Sequence, residues 1–515
     1  MKFSSLVEVL RQKGFDFAVN HGGGAPAGER DPSIFEVFAD SRRVLPGSIF
    51  CCIRGEKSDG HEYAGIAKEL GAVALVCEYP LETDLPVIVV KSVRDIMGDL
   101  AAAVYGYPAE KLLMAGVTGT NGKSTTTYAL RSILHAAGFR TGLTGTIVES
   151  DGVRERDAER TTPESCEIQR LLAATVKNGC GACVMETSSH GLMIGRLNGC
   201  RFDVGVFTNL NPEHLDFHGD MENYFQAKRL LFTKYMKDNS VLAINTDDPW
   251  GSRLLKEFSC SRNPSEPGAG QVPSVAGFGF ADVGDMKLDM EGSAFTVRMK
   301  NFPPLPIKSP LAGRYNVANV LATVAALRGR ISDSDIARGV ADIPQVPGRL
   351  EKRRMSNGAT CIIDFAHTPE ALRNTLTAVR DFCPGRLISI FGHGGGRYES
   401  NRPALGAVAA SLADMIIVTM DNPRDEDPLA IAEAIVRGIV ERGGGARYKV
   451  IPDRREAIFT ALSIAGPGDV LLVSGKGPEK FLTIRDQKIP YSDAEAIEEW
   501  EKLANSRASR PFRAR

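Results

Sequence analysis

The chain has 515 residues, of which 24% are charged and 43% hydrophobic. At roughly 150 residues per domain, this length suggests about three domains. The 62 basic and 63 acidic residues give a net charge of -1, so the composition does not favour nucleic acid or an anionic membrane as the main partner. Because we find neither a long apolar run nor a signal peptide, we expect a cytoplasmic protein without membrane insertion and with reduced cysteines.

Three blocks of alternating strand and helix patterns follow one another along the chain. Residues 1–107 predict a small N-terminal α/β domain. Residues 108–343 contain continuous apolar strands, which are typical of a parallel sheet covered on both faces. Residues 344–500 repeat the alternation and predict a Rossmann-like C-terminal domain, and the basic residues 501–515 predict a disordered tail.

The predicted elements have definite bounds. Strands are expected at Ile49–Ile53, Ala72–Val76, Pro86–Val90, Leu112–Val117, Ala182–Met185, Val204–Asn209, Ser240–Ile244, Thr360–Ile363, Leu387–Phe391, Met415–Thr419 and Val470–Ser474. Helices are expected at the N-terminus and at His61–Leu70, Lys123–Ala137 and Gly313–Arg328, with an exposed loop at 259–275.

The segment Gly116–Thr127 gives the strongest local signal, because a strand leads into a glycine loop and Lys-Ser opens a helix. Backbone N–H groups there can bind phosphate, Lys123 would reach the β- and γ-phosphates, and Ser124 would ligate Mg²⁺. The Gly-x4-Gly-Lys-Ser spacing is not met, since Val117 stands five residues before Gly122. A glycine turn capped by Lys and Ser is the alternative. No guanine-reading Asn-Lys-x-Asp stands out, which favours ATP.

Several further side chains are ambiguous when they are considered singly. Glu186 ends an apolar strand, where a P-loop protein needs a Mg²⁺ ligand, although a solvated glutamate fits equally well. His214 could bind metal, but a lone histidine is more often structural. Lys228 alone resembles an ordinary helix lysine. Cys180 and Cys183 have CxxC spacing without a second ligand pair, and Cys183 is expected in a buried strand.

Ten segments together resemble the Mur ligase family, the ATP-dependent amide-bond ligases that build the peptidoglycan stem peptide. The resemblance reaches to about residue 500 and implies a central P-loop domain between the two flanking α/β domains. The segments, in family order, are Gly116–Thr127, Thr161–Pro163, Glu186–His190, Asn211–His218, Tyr224–Lys228, Asn245–Pro249, Gly313–Asn319, Pro347–Glu351, Asp364–Pro369 and Ser474–Gly477.

The resemblance implies that ATP phosphorylates a carboxylate and that an amine then attacks the acyl phosphate. The implied ATP-binding residues are Gly119, Thr120, Asn121, Gly122, Lys123, Ser124, Thr125, Asn316, Arg349, Asp364 and His367. The implied catalytic residues are Lys123, Glu186, His214 and Lys228. The implied Mg²⁺ ligands are Ser124, Glu186, His214 and Lys228 as a carbamate. Residues implied to hold a UDP-linked substrate are Ser41, Thr161, Thr162, Ser188 and Arg196, with Ile194 standing where the family suggests a polar residue.

Within the family, Ser41–Gly47 and Asp421–Arg424 resemble the member that adds meso-diaminopimelate to UDP-MurNAc-L-Ala-D-Glu. A guanidinium such as that of Arg424 can bind the distal carboxylate of diaminopimelate bidentately, although it could instead pair with Asp425 or Glu426. The implied diaminopimelate-binding residues are Arg397, Asp421, Asn422, Pro423, Arg424, Gly475 and Glu479. Gly396 and Asn401 depart from the family pattern.

Two other classes of protein stay open at this point. One is a related ligase that adds L-lysine or extends folylpolyglutamate, and Ser41 and Arg424 disfavour it. The other is a P-loop motor or binding protein that hydrolyses ATP without an acceptor amine, which would leave the third block unexplained. We expect the protein to be a monomer.

Overall fold

The computed structural model describes residues 1–21, 31–55, 58–260, 274–443 and 447–508. They form two compact units, one of Met1–Gly279 with Ala322–Gly339 and one of Phe280–Leu321 with Val340–Arg515. The long helices at Arg314–Leu327 and Asp333–Ala341 each contain residues of both units. Among the described residues, none of the helices has the length and apolar character needed to cross a bilayer.

The first unit begins with a five-stranded sheet of order β1-β5-β4-β3-β2, in which only β1 is antiparallel to its neighbour. Its strands are β1 Phe17–Asn20, β2 Glu36–Phe38, β3 Ser48–Cys51, β4 Ala72–Cys77 and β5 Val87–Val90. Its helices are α1 Phe3–Gln12, α2 Ala64–Glu69 and α3 Val93–Val104. The apolar faces of α1 and α3 pack on the sheet and form one buried core, which confirms the predicted N-terminal helix.

A second, eight-stranded sheet in the same unit has the order β13-β12-β11-β6-β10-β7-β8-β9. Its strands are β6 Leu113–Thr118, β7 Thr141–Thr144, β8 Val148–Ser150, β9 Glu155–Asp157, β10 Ala182–Glu186, β11 Phe202–Phe207, β12 Met236–Asn245 and β13 Ser274–Phe278. Its helices are α4 Lys123–Ala136, α5 Ser165–Lys177, α6 Ser189–Met193, α7 Leu215–His218, α8 Met221–Lys234 and α9 Pro249–Cys260. The strands from β13 to β7 run parallel, so the carboxyl ends of β6, β10 and β11 meet at one edge.

The second unit contains a six-stranded sheet of order β17-β18-β22-β19-β20-β21, parallel except for β17. Its strands are β17 Glu351–Arg354, β18 Thr360–Asp364, β19 Leu387–Phe391, β20 Met415–Val418, β21 Arg447–Val450 and β22 Val470–Ser474. The unit also has a three-stranded sheet, β14 Val283–Asp289, β15 Gly292–Val297 and β16 Leu305–Ser309, and a hairpin, β23 Phe481–Ile484 and β24 Gln487–Pro490. The remaining helices are α10 Arg314–Leu327, α11 Asp333–Ala341, α12 Pro369–Arg380, α13 Asn401–Leu412, α14 Pro428–Glu441, α15 Arg454–Ile464 and α16 Asp493–Ala508.

The predicted strands all occur, with ends that differ by a few residues. The sheet β14-β15-β16 was not predicted, because β14 has no continuous apolar run and is only partly buried. Helix α16 continues to Ala508, which corrects the predicted start of the tail at residue 501; residues 509–515 lie outside the described part. Most of the predicted loop at 259–275 also lies outside it. Cys183 is buried in β10, where burial raises the pKa of its thiol.

A fully buried ion pair fixes helix α16 to the second unit. Arg454 and Asp493 have no exposed side-chain surface and are joined by two hydrogen bonds of 2.8 Å. The same guanidinium donates to the carbonyl oxygens of Ser474 and Met420 at 2.8 and 3.3 Å. This pair therefore connects the helix to the loops that follow β20 and β22.

We expect Asp493→Asn to destabilise the second unit by about 3–5 kcal/mol, because the charge of Arg454 would stay buried without its partner. Glu499→Gln on the same helix is the matched control, since Arg455 and Glu499 are 47% and 49% exposed and such pairs contribute at most about 1 kcal/mol. Urea-induced unfolding followed by fluorescence measures both changes, and Trp500 lies on the same helix. Equal losses in the two variants would contradict this expectation.

Candidate active site

The loop between β6 and α4 has the geometry of a phosphate-binding loop. Gly119 and Gly122 adopt positive φ angles of 151° and 86°. Asn209, which follows β11, accepts from the Thr120 amide at its carbonyl oxygen and from the Asn121 amide at Oδ1, both at 2.9 Å. These hydrogen bonds to the residue after the neighbouring strand fix the loop at the amino end of α4. The helix dipole favours an anion at that end.

We expect Gly119→Ala to disrupt this loop, because the new Cβ would lie 1.8 Å from Oγ1 of Thr208. Overpacking and backbone strain together predict a loss of about 2–6 kcal/mol. Gly138→Ala is the matched control, since φ is 88° there but no atom lies within 4 Å of the added Cβ. Urea unfolding and nucleotide binding should separate the variants, and equal stability losses would show that the contact with Thr208 is unimportant.

The lysine and hydroxyl residues of the loop lie at the first turn of α4. The Nζ atom of Lys123 donates to the carbonyl oxygens of Gly119 and Thr120 at 3.0 and 2.8 Å. Ser124 and Thr125 are buried, with 1% and 4% of their surface exposed. The structure therefore brings the predicted nucleotide-loop residues together at one edge of the sheet.

Glu186 ends β10, which is the direct neighbour of β6 in the sheet. Only 1% of its surface is exposed. The amide and the hydroxyl of Thr146 both donate to its carboxylate at 3.0 Å. A buried carboxylate that receives these two hydrogen bonds suits a bound cation. Among the described residues, however, no group of three or more His, Cys, Asp or Glu side chains could hold a metal ion.

Lys228 lies on α8 with 1% of its surface exposed. Its Nζ atom donates to the Gly119 carbonyl oxygen at 2.8 Å and lies 4.5 Å from the centre of the Tyr224 ring. Burial, and then the charge of Lys123, lower the pKa of Lys228 well below its usual value. The amine therefore loses its proton more readily than that of an exposed lysine, and the uncharged amine is the form that can react as a nucleophile.

His214 lies next to this lysine in a left-handed backbone conformation, with φ of 55°. Burial, together with the charges of Lys123 and Lys228, lowers its pKa to about 4, against an opposite contribution from Glu213. At neutral pH its imidazole is consequently neutral and able to serve as a ligand. The structure thus groups His214, Lys228 and the nucleotide loop.

A cavity of about 830 Å³ lies within the first unit, beside the N-terminal five-stranded sheet. Ser41 begins a short 3₁₀ turn and lines this cavity. The other charged residues in its wall include Arg42, Arg43, Arg94, Glu149, Arg156, Glu159, Arg160, Glu164, Glu167 and Arg170. Acidic and basic side chains are both present there, and some form ion pairs, such as Arg43 with Glu167.

The other residues predicted to hold the UDP-linked substrate connect this cavity to Glu186. The Thr161 hydroxyl lies 3.0 Å from that of Thr146. Thr162 is buried and donates to the Glu186 carbonyl oxygen at 3.0 Å, while accepting from the Ser188 amide. These bonds give Thr162 a structural task in addition to the predicted one.

Arg196 is engaged with Glu164, a residue that the sequence did not single out. The two side chains are 3.0 Å apart, and Arg94 and Arg160 also bind the same carboxylate at 2.8 Å. Ser188 caps α6 by accepting from the Gly191 amide. Ile194 follows that helix and is half-buried.

In the second unit, three of the predicted ATP contacts gather around Phe365. The Arg349 guanidinium lies 4.9 Å from the centre of its ring, and the His367 ring packs edge-on at the same distance. Burial raises the pKa of Asp364, against the charge of Arg349. Asn316, which follows Tyr315 in the sequence, is buried. Its side-chain amide donates to the Ala312 carbonyl oxygen at 2.8 Å.

The predicted diaminopimelate residues also converge within the second unit. Arg424 adopts φ of 52° and donates to the Gly395 carbonyl oxygen. Burial, and then the charge of Arg397, lower the pKa of Arg424. A Cβ at Gly394 would lie 3.0 Å from the Arg424 guanidinium and 3.4 Å from Cγ of Arg397. The absence of a side chain at Gly394 therefore leaves room for both arginines.

Acidic and amide groups stand beside these arginines. The Asn422 amide donates to Oε2 of Glu479 at 2.9 Å. A Cβ at Gly475, where φ is 110°, would lie 2.6 Å from Oδ2 of Asp421. Pro423 joins Asn422 to Arg424. The cluster therefore presents both guanidinium and carboxylate groups.

The alternative pairing of Arg424 with a neighbouring carboxylate does not occur among the described residues. Glu426 instead pairs with Arg402 at 2.8 Å and accepts from the Gly396 amide at 2.6 Å. Asn401 begins α13, one residue before Arg402. Gly396 and Asn401, two of the residues that depart from the family pattern, thus lie beside the Arg402–Glu426 pair.

Family models cover most of the chain. The Mur ligase middle domain matches residues 117–327, and the glutamate ligase domain of Mur ligases matches residues 348–477. The model described as "Mur ligase family, catalytic domain" matches residues 33–105.

Individual relatives agree with these matches. A Gloeobacter violaceus protein named UDP-N-acetylmuramoyl-L-alanyl-D-glutamate–2,6-diaminopimelate ligase is 42% identical over 476 residues, covering 91% of this chain and 94% of the relative. A solved structure of a ligase with that name has a TM-score of 0.62 at 28% identity, covering 92% and 95%. The MurF ligase from Thermotoga maritima in complex with ADP has a TM-score of 0.63 at 20% identity, covering 92% and 98%, and supports the fold alone.

Proposed function

Because the chain belongs to the Mur ligase family, we propose that it joins meso-2,6-diaminopimelate to UDP-MurNAc-L-Ala-D-Glu with ATP, forming ADP and phosphate. The protein is then an ATP-dependent acid–amino-acid ligase of peptidoglycan precursor synthesis. The proposal includes a cytoplasmic monomer and domain boundaries near residues 107 and 343.

The observation that carries the choice of amino acid is the cluster around Arg424. Diaminopimelate differs from L-lysine by a carboxylate at its far end, beside the distal ammonium. The guanidinium group of Arg424, with the positive charge of Arg397 near it, suits that carboxylate, and Glu479 suits the ammonium. Binding of lysine would leave Arg424 without the partner that diaminopimelate provides.

The nucleotide loop supports the chemical step. Lys123 and the loop amides would bind the phosphates of ATP, so that the γ-phosphoryl group is held for attack by the D-Glu γ-carboxylate. Transfer forms a C–O–P bond and releases ADP. The amine of diaminopimelate then attacks the acyl carbon, loses a proton and displaces phosphate. Closure around the acyl phosphate would protect it from water.

Mg²⁺ belongs to the proposal as the cation that neutralises phosphate charge when it is bound. Ser124 and Glu186 would hold one ion, and His214 and Lys228 another. Carbamylation of Lys228 supplies the missing anionic ligand, because it converts a buried amine into a carboxylate-like group. The low pKa of Lys228, caused by burial and Lys123, supports this modification.

An ADP-release assay with purified protein tests the function. We expect turnover that requires both UDP-MurNAc-L-Ala-D-Glu and meso-diaminopimelate, with mass spectrometry detecting the tripeptide product. Equal or better turnover with L-lysine would overturn the choice of amino acid. ATP turnover independent of any acceptor amine would overturn the ligase function itself.

A further inference from the structure

Lys476, in the loop after β22, is a buried cation that the proposed chemistry leaves unused. No part of its side chain is exposed. Its Nζ atom donates to Oε2 of Glu479 at 2.8 Å and to Oδ1 of Asn422 at 3.2 Å, and lies 3.9 Å from Oδ1 of Asp421. One ammonium thus contacts three of the residues assigned to the incoming amino acid.

These contacts determine the orientation of the Asn422 amide. Its Oδ1 atom accepts from Lys476 and, at 2.8 Å, from the Thr483 amide. Because both partners are donors, the oxygen must face them. The amide nitrogen is then directed to Oε2 of Glu479, with which it forms a bond of 2.9 Å.

The same contacts determine which oxygen of Glu479 a ligand can use. Lys476 and Asn422 both donate to Oε2, and among the described residues Oε1 accepts no hydrogen bond. A carboxylate held through one oxygen presents the other in a fixed direction. It is therefore preorganised for a second ammonium group, at a lower entropic cost than a mobile glutamate would pay.

We propose that Lys476 is a positioning residue for amino-acid selection, which orients Glu479 and Asn422 toward the distal ammonium and carboxylate of the acceptor. The inference rests on the proposed function, because it assumes that this cluster binds the acceptor. Lys476 does not touch the reacting atoms. Its loss should consequently affect acceptor binding more than phosphoryl transfer.

Lys476→Met and Lys476→Gln remove the charge, and Lys476→Arg keeps it. For both neutral variants we expect the KM for meso-diaminopimelate to rise about 10–100-fold, since hydrogen bonds to charged groups have that weight. The KM values for ATP and UDP-MurNAc-L-Ala-D-Glu should stay within about 2-fold. Lys476→Arg should lie closer to the unchanged protein.

Lys480→Met is the matched control, because Lys480 lies on the same loop but is exposed. A rise in all three KM values together, or none, would overturn the inference. Failure of both neutral variants to fold while Lys476→Arg folds would assign Lys476 to the fold and also overturn it. Absence of diaminopimelate-dependent turnover in the unchanged protein would instead refute the proposed function.

Discussion

Lys228→Ala should lose ATP-dependent ligation by about 10³-fold or more, since a positioned charge at a transferring phosphoryl group has that weight. The expected cause is loss of the carbamate, so that short carboxylic acids such as acetate or propionate should restore part of the activity. Such rescue distinguishes a missing carboxylate-like group from a missing amine. ADP-release rates over a range of acid concentrations measure it.

Lys234→Ala is the matched control on the same helix. Lys234 is exposed and its Nζ atom donates to Asn198 at 2.9 Å, so its removal should leave the rate within a few-fold and insensitive to added acids. Nucleotide binding and thermal unfolding must be measured in parallel, because Lys228 is buried. An inactive Lys228→Ala protein that binds nucleotide but is not rescued would contradict the carbamate.

Arg424→Ala should lower kcat/KM for meso-diaminopimelate by about 10²-fold or more, because a bidentate bond to the distal carboxylate disappears. The value for L-lysine should fall less, so the ratio between the two amino acids is the informative quantity. Arg424→Lys should not restore the ratio, since an ammonium lacks the planar fork of the guanidinium.

Arg485→Ala provides the matched control for this change. Arg424 and Arg485 both occupy left-handed conformations, with φ of 52° and 51°, but Arg485 is exposed. Any effect of placing alanine at a positive φ is therefore present in both variants. An equal loss for the two amino acids as acceptors in Arg424→Ala would show that the guanidinium does not read the distal carboxylate.

The parallel strands were the most predictable part of the fold. Runs such as Met415–Val418 are continuously apolar, because both faces of the sheet are covered. Strand β14 has mostly exposed and half-buried residues in alternation, and a strand without a continuous apolar run resembles a loop. The end of α16 was missed for a related reason, since its basic composition resembles a disordered tail.

The site was predictable where the chemistry lies in a local pattern. The nucleotide loop needs its glycines and Lys123 within a few residues, and that pattern is visible in the chain. Lys228 is different, because only burial and proximity to Lys123 distinguish it from a surface lysine. The role of Lys228 was therefore predicted only from the resemblance to the family and not from its local sequence.

Contacts between distant segments were not predictable. Thr146 binds Glu186 across 40 residues of sequence, and nothing in its own neighbourhood marks it. Glu164 binds Arg94 and Arg196, which lie 70 and 32 residues away in the sequence, and the residues around Glu164 do not predict these contacts either. Lys476 lies in the segment Ser474–Gly477, which the sequence analysis named. Its contacts with Asn422 and Glu479 are visible only in the folded structure.

Lys123 and Lys228 share one acceptor, since both Nζ atoms donate to the Gly119 carbonyl oxygen. The charge of Lys123 lowers the pKa of Lys228, and thermodynamic reciprocity requires that a change at Lys228 alters Lys123 as well. An anionic carbamate at Lys228 would therefore attract the Lys123 ammonium, which the charged amine repels. Under our proposal, nucleotide binding at Lys123 and the addition of carbon dioxide to Lys228 are thermodynamically linked. Each therefore changes the affinity of the protein for the other.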